Sequence, residues 1–316
     1  MSYIYPEFAP QKAVWALWPA DNGKNTDIIV EQQKAFARFI MAVSMHTPVY
    51  VAVPDDEFER ARFIIPKHIT LYPVAKDNIK AGALRVYSLN DSNKSKIAVP
   101  YNSLYKNVLD GFIKFQPMEF VESILPEGLV IETDGSGLFA VLESNLQCLG
   151  ISYEEFCLKL SLITEIRQVF LVKDVNYTVK VASIRELIRF VAPNVMIVNN
   201  VPKSSSNKYY ELLNHVYNLT VNTKNTMGTE FSLITLPIAD NSDIYQDCRV
   251  LRGYLDFIIS NQNIIVPLMN SELDNYVLMK LQQQMSVWGI EVNGIEAREV
   301  IKDGWSLSDF IIPVFK

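Results

Sequence analysis

Apolar residues recur along this chain in two rhythms that alternate from end to end. One spaces them three and four apart, as on the buried face of a helix. The other gathers them into short β-branched runs, as in buried strands. Ile28, Ile29, Ala35, Phe36, Phe39, Ile40 and Val43 keep the first rhythm behind Thr26, a capping residue, and predict a helix over 27–45. The same reading predicts helices over 55–64, 101–115, 153–163, 183–191, 208–217 and 272–287. Ala192-Pro193 sets the end of the helix at 183–191. The second rhythm predicts strands over 48–53, 69–74, 84–89, 129–132, 138–142, 168–172, 195–198, 231–236, 257–259, 264–267, 290–292 and 307–314.

A helix between strands, with hairpins interleaved, is the recurring unit. That predicts an α/β chain with mixed sheets in one domain spanning 1–316. The Ser-rich patch Ser204–Ser206 is too short to separate domains, and no repeat is visible in the sequence itself. Asp134-Gly135-Ser136-Gly137 reads as a hairpin turn. A phosphate loop would need a following helix and a Lys, and neither is present.

Composition narrows the function. The chain has 316 residues, 49% hydrophobic and 20% charged, which is globular composition rather than disorder. A net charge of −6 argues against a nucleic-acid surface, which needs a basic excess. Three cysteines cannot build a disulfide framework, and neither a secretory leader nor a membrane-length apolar run is evident. A cytoplasmic location with no membrane contact is the expectation. Three histidines nearly exclude a His-rich metal centre, and neither metal nor cofactor is expected. Cys157 falls in a predicted helix, as an inert buried thiol would. His46, His68 and His215 have no acidic partner at recognisable spacing.

Several fragments line up, in order, with one family. Pro6-Glu7-Phe8 leads into Trp15 and Trp18-Pro19, and Glu127-Gly128-Leu129-Val130-Ile131-Glu132-Thr133 leads into the Asp-Gly turn. Glu143-Ser144, Arg189-Phe190-Val191-Ala192-Pro193, Gly253-Tyr254-Leu255-Asp256-Phe257 and Val266-Pro267 follow. In this the chain resembles the agmatine deiminase and bacterial peptidylarginine deiminase family of the guanidino-group-modifying superfamily. The resemblance implies a fivefold pseudo-symmetric α/β-propeller (pentein-like). It also implies a chemistry in which a cysteine attacks a guanidinium carbon, a histidine moves protons, and two carboxylates hold the substrate.

Those residues are not at the matching positions. The resemblance places Ser183 at the histidine, Arg185 at one carboxylate, Asp309 at the cysteine with Ser308 before it, and Ala83 at the other carboxylate. Serine is no acid or base near neutral pH, and Arg185 puts a cation where the substrate's cation would be held. The expectation is a deiminase-like pseudoenzyme that binds a small guanidino, amine or amino-acid ligand, or a protein partner. Alternatives are a guanidino hydrolase with a rearranged site, for which Cys148, Cys157 and Cys248 are the candidate nucleophiles, and a structural subunit of an oligomer. Glu127, Gly128, Asp77, Arg185, Asp309, Trp305 and Phe8 are the expected binding residues. Trp305 is expected to narrow the pocket, and Arg185 and Asp309 to be bonded to each other or to a bound ion or ligand.

Overall fold

The computed structural model of the chain describes residues 2–20, 26–76, 86–91, 94–100, 103, 106–115, 117–177, 179–181, 183–201, 209–238, 250–251, 253–298 and 306–316. Among these residues, five units share one plan. Two strands pair antiparallel, and a helix then crosses over to a third strand that lies parallel to the second. The second unit pairs Tyr87–Asp91 with Lys94–Pro100 and crosses through the helix Lys106–Phe115 to Glu119–Ser123. The third pairs Ile131–Thr133 with Leu138–Leu142 and crosses through Glu143–Cys148 and Tyr153–Ser161 to Gln168–Val172. The fourth pairs Ile188–Ala192 with Val195–Asn199 and reaches Ser232–Leu236 through Tyr210–Val221. The fifth pairs Ile258–Ser260 with Asn263–Leu268 and reaches Glu291–Glu296 through Asp274–Met285.

The first unit borrows its hairpin partner from the far end of the chain. Gln11–Leu17 crosses through Thr26–Ser44 to Val49–Pro54, and Thr70–Val74 extends the sheet, but the antiparallel neighbour is the C-terminal strand Ile311–Phe315. The two ends of the chain thus close one sheet. This is the expected fivefold α/β-propeller.

The middle strands read as continuous apolar runs because both of their faces are covered. Leu138–Leu142 and Val195–Asn199 are buried at every position. Trp15 stacks on Phe112 at 4.8 Å, joining the first unit to the second.

Two expected elements are corrected. Residues 183–191 do not form a helix. Ile184–Glu186 is a single 3-10 turn capped by Ser183, and Ile188–Ala192 is a strand. Ile184, Leu187, Ile188 and Val191 are spaced as on a helix only because every residue from 186 to 192 is buried, and burial on both faces erases the alternation of a strand. The run is closed not by a helix stop but by the hairpin residue Asn194, whose φ is 62°. Likewise the last strand begins at Ile311. Leu307–Phe310 is a 3-10 turn, so Asp309 precedes the strand rather than lying on it. The strands Gln11–Leu17, Lys94–Pro100 and Glu119–Ser123 and the helix Glu143–Cys148 were not among the expected elements. Among the described residues, no helix is long and apolar enough to cross a membrane.

Candidate functional site

Four charged side chains meet where the units converge. Glu7 comes from the turn before Gln11–Leu17, Glu132 from the first strand of the third unit, and Arg185 and Arg189 from the turn and strand that open the fourth. Local sequence explains their placement. Ser183 Oγ accepts the Arg185 N–H at 3.2 Å and winds the turn that delivers Arg185. Strand alternation then sends Ile188 and Phe190 into the core of the fourth unit and Arg189 to the opposite face.

Arg189 is fully buried and firmly held. Its Nε donates to Glu132 Oε1 at 3.1 Å and its Nη2 to Glu7 Oε2 at 2.8 Å. Its Nη1 donates to the Leu255 and Phe257 carbonyls at 2.8 and 2.5 Å, and its guanidinium lies 4.4 Å from the centre of the Phe257 ring. Arg185 spans the same two carboxylates more loosely. Its Nη1 is 3.4 Å from Glu7 Oε2 and its Nε is 3.5 Å from Glu132 Oε2, and its side chain is 20% exposed. Among the described residues, Arg185 Nε has no hydrogen-bond partner.

The two carboxylates differ. Burial would raise the Glu7 carboxyl, but Arg189, Arg185 and the Ile259 N–H, which donates to Oε1 at 2.8 Å, hold it below the usual carboxylate range. Burial, reinforced by the Glu7 charge, raises Glu132 above that range despite the same two arginines. Burial also works against the Arg185 charge, and Glu7, Glu132 and Asp256 outweigh it.

A cavity of about 70 Å³ lies against Glu7, Glu132 and Arg185, with Tyr5, Tyr87, Ser88 and Thr133 among its other walls. That holds a few waters, against roughly 300–1,000 Å³ for a typical ligand cleft. Among the described residues, neither cysteine nor histidine lines it, and no three His, Cys, Asp or Glu side chains are grouped to hold a metal ion.

The expected site residues are distributed as follows. Arg185 is at the centre, but it pairs with Glu7 and Glu132 and not with Asp309. Asp309 is spent on the turn, where its Oδ2 accepts the Ser306 N–H at 2.8 Å in a capping box. This corrects the expected Arg185–Asp309 pair: the capping box holds Asp309 on the backbone while two nearer carboxylates claim the arginine. Ser308 Oγ donates to Asp256 Oδ1 at 3.0 Å. Glu127 accepts from Ser103 Oγ at 3.2 Å, and the Gly128 carbonyl accepts from Asn145 at 3.2 Å. Both brace the lead-in to the third unit without lining the cavity. Phe8 lines a separate groove with His46, Asn261 and Trp288. Cys148 is exposed at the end of Glu143–Cys148, and Cys157 is half-buried. Ala83, Asp77, Trp305 and Cys248 lie outside the described residues. Glu7, Glu132 and Arg189 fall in the family-like fragments but are not among the expected site residues. The signal was there: a charge inside an all-apolar run such as Ile188–Ala192 has to be paired.

The family model described as Porphyromonas-type peptidyl-arginine deiminase matches residues 3–307. A Yersinia pseudotuberculosis protein assigned as an agmatine deiminase is 24% identical over 346 aligned residues, covering 96% of this chain and 93% of that protein. The solved agmatine deiminase of Enterococcus faecalis superposes with a TM-score of 0.81 at 19% identity, covering 99% of this chain and 96% of that one. The C. jejuni agmatine deiminase gives 0.80 at 19% identity, covering 100% and 96%.

Proposed function

We propose, for a chain that belongs to the Porphyromonas-type peptidyl-arginine deiminase family, that the fold serves binding and not cysteine-dependent hydrolysis of a guanidino compound. Arg185 carries this reading. Its guanidinium lies between Glu7 and Glu132, and the family resemblance matches Arg185 to a substrate-holding carboxylate. A substrate guanidinium brought beside it meets a like charge in a site largely shut off from water, where repulsion is strong. Ser183 and Asp309, matched to the histidine and the cysteine, both accept backbone N–H groups at turns. Neither has the chemistry of the residue it replaces. The ligand class that fits this reading is a small guanidino, amine or amino-acid compound, or a protein partner.

The relatives' names favour a second reading, an active C–N hydrolase on a guanidino compound with a rearranged site. Cys148 supports it as an exposed thiol. Ammonia release separates the two. Purified protein incubated with agmatine, free arginine and a peptidyl-arginine substrate is expected to release no ammonia above the blank. Turnover that disappears when Cys148, Cys157 or Cys248 is replaced by serine would establish the hydrolase reading instead.

A further inference from the structure

Two arginines four residues apart address the same two carboxylates, and they are held unequally. Arg189 is fixed by four short hydrogen bonds and the face of Phe257. Arg185 has contacts of 3.4 and 3.5 Å, an Nε without a hydrogen bond among the described residues, partial exposure, and a position on the cavity wall. The first is a structural cation, and the second is a removable one.

We propose that Glu7 and Glu132 form a guanidinium seat that the chain fills with its own Arg185, so that a guanidino ligand binds there only by displacing that side chain. The charge balance requires an occupant. Among the described residues, two buried carboxylates facing Arg189 and no other cation would, once both are ionised, leave one negative charge uncompensated in a site with little access to water. The geometry selects the kind of occupant. Arg185 reaches Glu7 through Nη1 and Glu132 through Nε, so one flat cation spans both carboxylates. A planar, weakly hydrated guanidinium suits that span, whereas a compact ammonium holds its water more tightly and meets one carboxylate at a time. The space beside the seat is about 70 Å³, so emptying the seat enlarges an existing cavity rather than opening a new one.

The test is a melt of the full chain carrying Arg185→Ala, with guanidinium or methylguanidinium chloride at millimolar concentration as the probe. Any cation that binds the native state alone raises the melting temperature in a saturable way. The variant is expected to melt below the unmodified protein and to regain several degrees with guanidinium. Sodium, ammonium or tetramethylammonium chloride at equal ionic strength should restore far less, and the unmodified protein should not respond. Adding Glu132→Gln to the variant is expected to abolish the rescue. Equal effects of all four salts, an equal rise in the unmodified protein, or rescue that survives Glu132→Gln would overturn the proposal. If Arg185→Ala does not fold, Arg185→Gln is melted in the same series. Failure of both to refold even with guanidinium present also overturns it. The result is independent of the no-turnover reading, which is decided by ammonia release from the unmodified protein.

Discussion

Glu7 and Glu132 lie within reach of the same arginines, yet they couple stability to pH in opposite senses. Glu7 titrates below its ordinary value of 4.5 in the fold. Its contribution to stability is therefore complete above that value and is lost as pH falls through the lowered one. Glu132 titrates above 4.5 in the fold, so its contribution is complete below 4.5 and is lost as pH rises through the raised value. Melting temperature followed against pH should separate them. Glu7→Gln is expected to flatten the acid limb, and Glu132→Gln to flatten the decline on the neutral side. Identical profiles for the two variants would contradict this assignment. Arg189 is the residue whose loss should hurt most. Replacing it by Met leaves the two carboxylates with the loosely held Arg185 and takes the donor from two carbonyls, at a cost of about 3–5 kcal/mol in denaturant unfolding. A loss below about 1 kcal/mol, typical of an exposed pair, would mean the cluster is solvated. The sequence showed these charges within family-like fragments, but it could not show that chain segments so far apart meet. That depends on how the units are arranged, which no single run encodes.

The elements divide by how many of their faces are buried. Thr26–Ser44, Leu138–Leu142 and Gln168–Val172 were legible because a one-sided apolar stripe or a short β-branched run has a single reading. Residues 183–191 were not, because Arg185, Glu186 and Arg189 and a helix-like apolar spacing sat in a segment buried on both faces. Asp309 was expected inside a strand starting at Leu307, but the strand starts at Ile311: Ser306 and Asp309 cap each other's backbone and hold back its start. The Asp134–Gly137 turn was legible, but its link to the site was not. Gly135 has a φ of 77°, and a Cβ there would come within 2.6 Å of Pro6, the residue before Glu7. Gly135→Ala is therefore expected to destabilise by about 1–3 kcal/mol through backbone strain and to disturb Glu7 through Pro6. Chemical denaturation measures the first effect, and a shift in the acid limb of the melting profile measures the second. A neutral substitution would show that the turn and the Glu7 segment move independently.

At the scale of the molecule, five units form a ring that the C-terminal strand completes, with Ile312 opposite Trp15. The sequence pattern alone gave alternating helices and strands, and the ring came from the family resemblance. What neither gave was the sharing of one sheet by the two chain ends. Deleting residues 311–316 should remove the antiparallel partner of Gln11–Leu17 and expose the buried Trp15 edge, leaving a chain without a cooperative melt. A truncated protein that melts as sharply as the full chain would contradict this closure. At the centre of the ring, Arg185 neutralises carboxylates that, among the described residues, would otherwise face Arg189 alone. A double-mutant cycle at pH 7 on Arg185→Met and Glu132→Gln tests this most directly, by denaturant unfolding of both single variants and the double. The double variant is expected to lose less than the sum of the singles, with a coupling of about 1–3 kcal/mol, because removing both partners leaves Glu7 matched by Arg189. Additive losses would contradict it.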